Sequence, residues 1–464
     1  MDDPETDRSA LTNKLGMITN INPGPIVSVG IIDGRDQIRG WLDGRFQADG
    51  VACLSGGFVA QARDGQVIVR DEAGRVVAQS PALRLSGEGH ALFRLFGVVI
   101  GNRFHWERPE DQTFQGNLLI LPRPDGTITA INEIPVEYYL ESVISSEMRA
   151  EAPLEFLKAH AIMSRSWLMA ALERRKQPCS AHPSTPGAGG DSADEIIRWY
   201  EREDHCLFDV CADDHCQRYH GITKIISPQA EVAVNATSGK VMTYRGAICD
   251  ARYSKCCGGL TEDFQTAWED RDIDYLTSIS DADRGHLPPL TEEQAARWIR
   301  SEPDAYCNVR DGSLLERVLP DFDQETKGFF RWAVTYTRLE LEEILTAKSG
   351  INFGSLLDLT PLQRGPSARI SRLRIVGTER TITVGKELEI RRWLSPNHLY
   401  SSAFTVEMKR GPDGLPEITT LQGAGWGHGV GLCQIGAAAM ASRGFSCEQI
   451  LSHYFRGIGI EKVY

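Results

Sequence analysis

The sequence predicts an α+β fold: a mixed helical core carrying a central helix pair, a small N-terminal β domain and β-rich segments toward the C-terminus. Three observations predict it. Residues 24–134 alternate apolar and polar positions in short runs closed by Gly, Asp and Pro. Residues 135–176 change to three- and four-residue apolar spacing, the period of a helix. Residues 369–394 return to alternation before the chain ends in short helical stretches.

In order, 1–23 is polar and acidic and is expected to be flexible. It holds no apolar signal-peptide core, so the chain is either cytoplasmic or exported by a signal outside it. In 24–134, PIVSVGII, GQVIVRD, ALFRLFGVVIG, GNLLILP and TITAINEI read as antiparallel strands, with Asp-Gly pairs at 64–65 and 125–126 as tight turns. FHWERPEDQTFQG (104–116) is rich in polar and aromatic groups that could line a site, but it reads more simply as a hairpin surface.

The 135–176 stretch reads as two consecutive helices. Pro135 suits a first turn, where its missing N–H is not needed. Leu140, Val143, Ile144 and Met148 form one apolar stripe, and Glu147 falls on it. Glu137 and Glu141 fall on another face with Ser145 and read as solvated. Burial of Glu147 is expected to raise its pKa, which suits a general acid near neutral pH. The other reading is a structural carboxylate paired with a cation such as Arg165 on the second helix.

Residues 177–195 form a Pro/Gly/Ser-rich loop. His205, Cys206, Cys211, His215 and Cys216 follow within twelve residues. His205, Cys211, His215 and Cys216 would make a four-ligand zinc set, with Cys206 competing for the first place; buried thiols with exposed histidines is the other reading. AVNATSGKVMTYRG reads as a helix end, a Gly turn and a strand, and Cys256-Cys257-Gly258-Gly259 as a tight loop. Helical stretches are expected at 291–302 and over FFRWAVTYTRLELEEILTAKSG, and a β-meander with a helical turn at 369–394. Five glycines between 423 and 431 surround Trp426 and His428 and lead into a helix at about Cys433. That loop suits an anion at a helix N-terminus or the wall of a carbohydrate site. A last helix is expected at 446–455.

The net charge is −13 with no long basic run, which makes nucleic acid and anionic membranes poor partners. No apolar run is long enough for a transmembrane helix. Eleven scattered cysteines do not read as a disulfide framework.

Taken together, VEYYLESVISSEM, LEFLKAHAIMSRSW, FDVCADDHCQRYHG, YSKCCGG-T and GWGHGVGLCQIGAAAMA resemble, in order and spacing, the SpoIID/LytB family of bacterial peptidoglycan proteins, from about residue 26 to 462. The resemblance implies a catalytic domain over 135–464, with an inserted or accessory region near 280–365. It implies a lytic transglycosylase of peptidoglycan glycan strands, stripped of stem peptides, in which Glu147 of S-E-M is the acid and then the base, leaving 1,6-anhydro-MurNAc ends. It implies structural zinc on His205, Cys211, His215 and Cys216. Gln217, Tyr219, Ser254, Trp426, His428 and Gln434 match positions that would line the cleft. Asp213, Asp214, Glu262 and Asp263 read as loop surface. The LytB branch implies the alternative, a non-catalytic glycan binder that enhances a cell-wall amidase. Either way the resemblance implies an extracytoplasmic place of action.

Overall fold

The computed structural model describes residues 22–48, 51–101, 107–175, 187–192, 194–200, 205–324 and 328–464. Most of the flexible segment expected at 1–23, residues 104–106 of the hairpin surface and much of the 177–195 loop lie outside the described residues.

Among the described residues, the alternating region forms ten strands between Ile26 and Pro135, and Val210–Cys211 adds to Ile26–Arg35 in parallel to complete an eleven-stranded sheet. The sheet is larger than expected because its strands pair through several short hairpins. One of these turns at Asp64-Gly65, where both residues have positive φ and Arg63 faces Gln66. Its apolar face does not close on itself. Phe46, Phe93, Phe114, Leu118 and Ile134 share one core with Tyr139, Leu140, Phe156 and Leu168 of the helix pair.

That pair is α1 (Val136–Glu147) and α2 (Leu154–Arg175). Pro135 is the cap of α1 rather than its first helical residue, and Met148 leaves the helix in an extended conformation. α1 is buried on nearly all sides, so its polar residues must find partners inside. Glu137 is therefore not solvated. It pairs with Arg165 of α2 through Nε at 3.0 Å and a second guanidinium nitrogen at 2.5 Å, and it accepts from Gly239 N and the Tyr464 hydroxyl. Glu141 is half-buried, and burial, followed by the charges of Glu231 and Glu137, raises its pKa to about 8.

A second core lies between two smaller sheets. One contains Leu356–Arg364, Ile370–Gly377 and Thr381–Gly385; the other contains Arg331–Thr337, Phe404–Arg410 and Pro416–Ala424. The stretch FFRWAVTYTRLELEEILTAKSG is only half helical. Residues 331–337 pair with Pro416–Ala424, and helix Arg338–Ser349 begins at a Thr337/Glu340 capping box and ends at Gly350 in the left-handed conformation. Alternating Trp332, Val334 and Tyr336 carried the strand signal.

Arg165→Met would leave the Glu137 carboxylate buried without its cation. The unfolding free energy is expected to fall by about 3–5 kcal/mol, read by urea denaturation.

Candidate functional site

Glu147 closes α1 and is 6% exposed. Three chain segments converge on its carboxylate. Arg218 N donates to Oε1 at 3.1 Å, the Tyr253 hydroxyl donates to Oε1 at 2.8 Å, and Gln434 Nε2 donates to Oε2 at 3.3 Å. Lys255 Nζ donates to the Glu147 carbonyl at 2.8 Å, filling an acceptor that the helix end leaves open. Gln434 also contacts His160 Nε2 at 3.0 Å, whose Nδ1 lies 3.2 Å from Ser164 Oγ.

Two cations share this centre. Lys255 pairs with Asp323 at 2.8 Å, and Arg218 pairs with Asp214 at 2.7 Å and Asp323 at 3.4 Å. Their presence decides the ionisation of Glu147. Burial pushes its pKa up, but the charges of Arg218 and Lys255, with help from His160, outweigh it and hold the carboxyl below its ordinary value. This corrects the expectation from burial alone: in the free protein Glu147 is a carboxylate. Arg165, the cation considered for it, belongs to Glu137. His160 shifts down to about 4 because burial disfavours the imidazolium.

The other expected residues fall into three places. Gln217 and Gln434 are buried beside Glu147; Gln217 accepts from the Tyr139 hydroxyl and Gln434 donates to Glu147 itself. Tyr219 is core, stacked on Tyr139 and donating to Asn132, so it supports the site rather than lining it. Ser254 is buried next to Tyr253, and its hydroxyl has no hydrogen-bond partner among the described residues. Trp426 stacks on Tyr400 at 4.2 Å, and half-buried His428 meets the edge of Trp268 at 4.9 Å. Burial, then Arg252, Arg369 and Arg391, hold His428 well below the usual imidazole pKa.

The glycine-rich loop has a backbone reason. Gly425, Gly427, Gly429 and Gly431 all have positive φ, so every second residue is left-handed. A Cβ at Gly429 would sit 2.4 Å from the Arg369 guanidinium carbon, and one at Gly431 would sit 2.1 Å from the Arg252 carbonyl oxygen. The glycines let the loop pass these groups and bring Leu432–Cys433 parallel to Tyr253–Ser254, which sets Gln434 opposite Glu147. Glu262, expected at the surface, is fully buried. It accepts from Ser367 at 2.6 Å and Thr266 at 3.1 Å, and burial raises its pKa to about 7. Asp214 is also drawn inward by Arg218, with a pKa raised to about 7 by burial.

His205, Cys211, His215 and Cys216 place one donor atom each within 4.8 Å of all the others. Cys216 Sγ lies 3.4 Å from His205 Nε2 and 3.5 Å from His215 Nδ1, close to the edge of about 3.6 Å in a tetrahedral zinc site with ordinary bond lengths. Cys206 is exposed and outside the group. The loop that carries these residues continues directly into Gln217 and Arg218. A cavity of about 600 Å³ lies elsewhere, bounded by Asp304, Arg310, Leu314 and Arg443.

Residue-level reading of the sequence missed Arg218, Tyr253, Lys255, Asp323 and His160. Four of them stand inside the motifs already quoted, one or two residues from a named position, or on α2. Asp323 has no such marker.

A family model described as stage II sporulation protein matches residues 124–244, and a domain of unknown function, DUF8618, matches 262–431. The chain is similar to stage II sporulation protein D of Bacillus amyloliquefaciens, 26% identical over 333 residues that cover 72% of this chain and 76% of that protein. It is similar to stage II sporulation protein D of Bacillus subtilis (strain 168), 23% identical over 337 residues, 72% of this chain and 76% of that one. An amidase enhancer of Bacillus subtilis (strain 168) is 24% identical over 241 residues, 48% of this chain and 31% of the enhancer.

The His160 shift has a consequence for stability. Below pH 6.5 the unfolded chain takes up the His160 proton, whereas the folded chain takes it up only near pH 4. The contribution is complete above pH 6.5 and is lost as pH falls toward 4. It amounts to about 3 kcal/mol, and His160→Gln is expected to remove that share from the pH dependence of urea unfolding.

Proposed function

The chain belongs to the SpoIID/LytB family, with a cell-wall-related role, and from that premise and the surroundings of Glu147 we propose that it is a peptidoglycan lytic transglycosylase. The supporting observation is a single carboxylate at the end of a buried helix, held by Tyr253, Gln434 and the Arg218 amide. The substrate is the glycan strand, stripped of stem peptides. Glu147, protonated when the glycan excludes water and strengthens the burial effect, donates to the oxygen between MurNAc and GlcNAc. Positive charge develops on the MurNAc ring. The 6-hydroxyl of the same sugar then attacks its anomeric carbon. Glu147 takes the hydroxyl proton, and a 1,6-anhydro end forms. Tyr253 and Gln434 hold the carboxylate in position for both transfers.

Zinc on His205, Cys211, His215 and Cys216 would fix the loop that presents the Arg218 amide. Four protein ligands leave no open position, so its part is structural. The cleavage takes place outside the cytoplasm. Among the described residues no helix is long and apolar enough to cross a membrane.

The second reading is a glycan-binding enhancer of a cell-wall amidase. Two observations favour it: the similarity to an amidase enhancer, and the carboxylate state of Glu147 in the free protein, which is not the form an acid needs.

Products separate the readings. Denuded glycan strands incubated with the protein are expected to yield anhydro-ended fragments by mass spectrometry, and Glu147→Gln is expected to lower that yield at least about 100-fold. Reducing ends would mean hydrolysis, and binding without cleavage would transfer the assignment to the enhancer. Lys255→Met removes a cation that holds Glu147 down, so Glu147 keeps its proton to higher pH. The alkaline limb of kcat/KM is expected to move upward in that variant.

A further inference from the structure

A second group of metal-type donors lies apart from the His205 loop. Cys257, Asp281, Cys307 and Cys433 are all buried, and their donor atoms lie within 4.8 Å of one another. We propose that Cys257, Cys307 and Cys433 with Asp281 bind a structural zinc ion that ties the two strands behind Glu147 to the 281–307 segment.

The spacing is that of ligands around one ion. A tetrahedral zinc has sulfur–sulfur edges of about 3.8 Å and sulfur–oxygen edges of about 3.5 Å for ordinary bond lengths. Cys257 Sγ is 3.6 Å from Cys307 Sγ and 3.4 Å from Asp281 Oδ2. A disulfide needs sulfurs about 2.05 Å apart and would use only two of the three thiols.

Main-chain and side-chain donors are aimed at this group. Main-chain amides donate to sulfur: Cys257 N to Cys433 at 3.2 Å and Gly259 N to Cys257 at 3.4 Å. Asp281 is fully buried and has no salt-bridge partner among the described residues. A carboxylate so placed needs a proton or a metal. Its Oδ1 accepts from the Tyr454 hydroxyl at 2.6 Å, which turns Oδ2 toward the thiols, the arrangement of an oriented metal ligand. Three thiolates and a carboxylate around zinc would carry two negative charges. Two guanidiniums hold the same turn: Arg331 donates to the Gly258 carbonyl at 3.0 Å and Arg369 to the Cys257 carbonyl at 3.1 Å.

The position gives the ion its effect. Cys257 stands two residues after Lys255, and Cys433 immediately precedes Gln434. Both neighbours touch Glu147, through its carbonyl and its carboxylate. With four protein ligands the ion is structural, and the residues it affects are positioning residues.

The test is metal content of the full chain, purified without chelator and measured by mass spectrometry. Wild type is expected to hold about two zinc ions, His215→Ala about one and Cys307→Ser about one, with Cys307→Asp regaining the ion by restoring a donor. If Cys307→Ser does not fold, cobalt-substituted wild type decides: its sulfur-to-metal absorption should correspond to about five thiolates, not about two. A single zinc lost in His215→Ala and kept in Cys307→Ser overturns the proposal. So does an iron–sulfur spectrum, or a peptide map with a disulfide joining Cys257 to Cys307 or Cys433. If the His205 group binds no zinc, wild type and His215→Ala hold about one ion each and Cys307→Ser none, so the two sites fail separately.

Discussion

The structure around the site depends on one constraint: a carboxylate buried at a helix C-terminus. Neither burial nor the helix end favours its charge. Glu147 is nevertheless ionised, because Arg218 and Lys255 stand beside it. Those cations are themselves buried and must be neutralised, which Asp323 does for both and Asp214 does for Arg218. A helix, the 211–220 loop, the Tyr253–Ser254 strand with the following Lys255, residue 323 and the start of the Gln434–Ser442 helix are therefore locked into one electrostatic unit. Removing one member weakens the neutralisation of its partners and shifts their ionisation, so the members of the unit are coupled.

Much of this was legible in the sequence, and the limits have physical causes. Helical spacing located α1 and α2 because their apolar faces are local properties of the chain. The strand content of 24–134 followed from alternation for the same reason. The assignment for 329–350 failed at its first half because a short apolar strand joined directly to a helix has no Gly or Pro to mark the change. Ionisation was misjudged because it depends on neighbours from distant segments. Periodicity placed Glu147 on the buried face, but nothing in the spacing indicates that residues 218 and 255 would stand beside it. Glu137 and Glu262 show the same limit from the other side. Both are polar residues that the sequence gives to solvent and the fold buries with dedicated partners.

The glycine-rich segment shows how one local rule serves a distant contact. Alternating glycines read at first as a ligand-binding wall. Their left-handed conformations let the chain pass Arg369 and the Arg252 carbonyl. The benefit appears beyond the loop, where the chain enters a helix with Gln434 facing Glu147. Trp426 and His428 are held by Tyr400 and Trp268 on the way. A chain that turns this sharply needs glycine at alternate positions, which leaves the intervening positions to carry the large side chains.

A single acid that must both give and take a proton needs a pKa that its surroundings can move. Glu147 has opposing influences: burial on one side and two cations on the other, with a net lowering in the free protein. A balance of that kind responds to small changes. In the proposed reaction, a glycan covering the carboxylate would add to the burial side and favour the acid form. Charge developing on the sugar favours the carboxylate again, in time for it to take the hydroxyl proton. An isolated buried Glu would be a ready acid but a poor stabiliser of positive charge, and a surface Glu the reverse. Placing Arg218 and Lys255 close enough to oppose burial, while tying both to Asp323, allows one residue to serve in both halves of the proposed reaction.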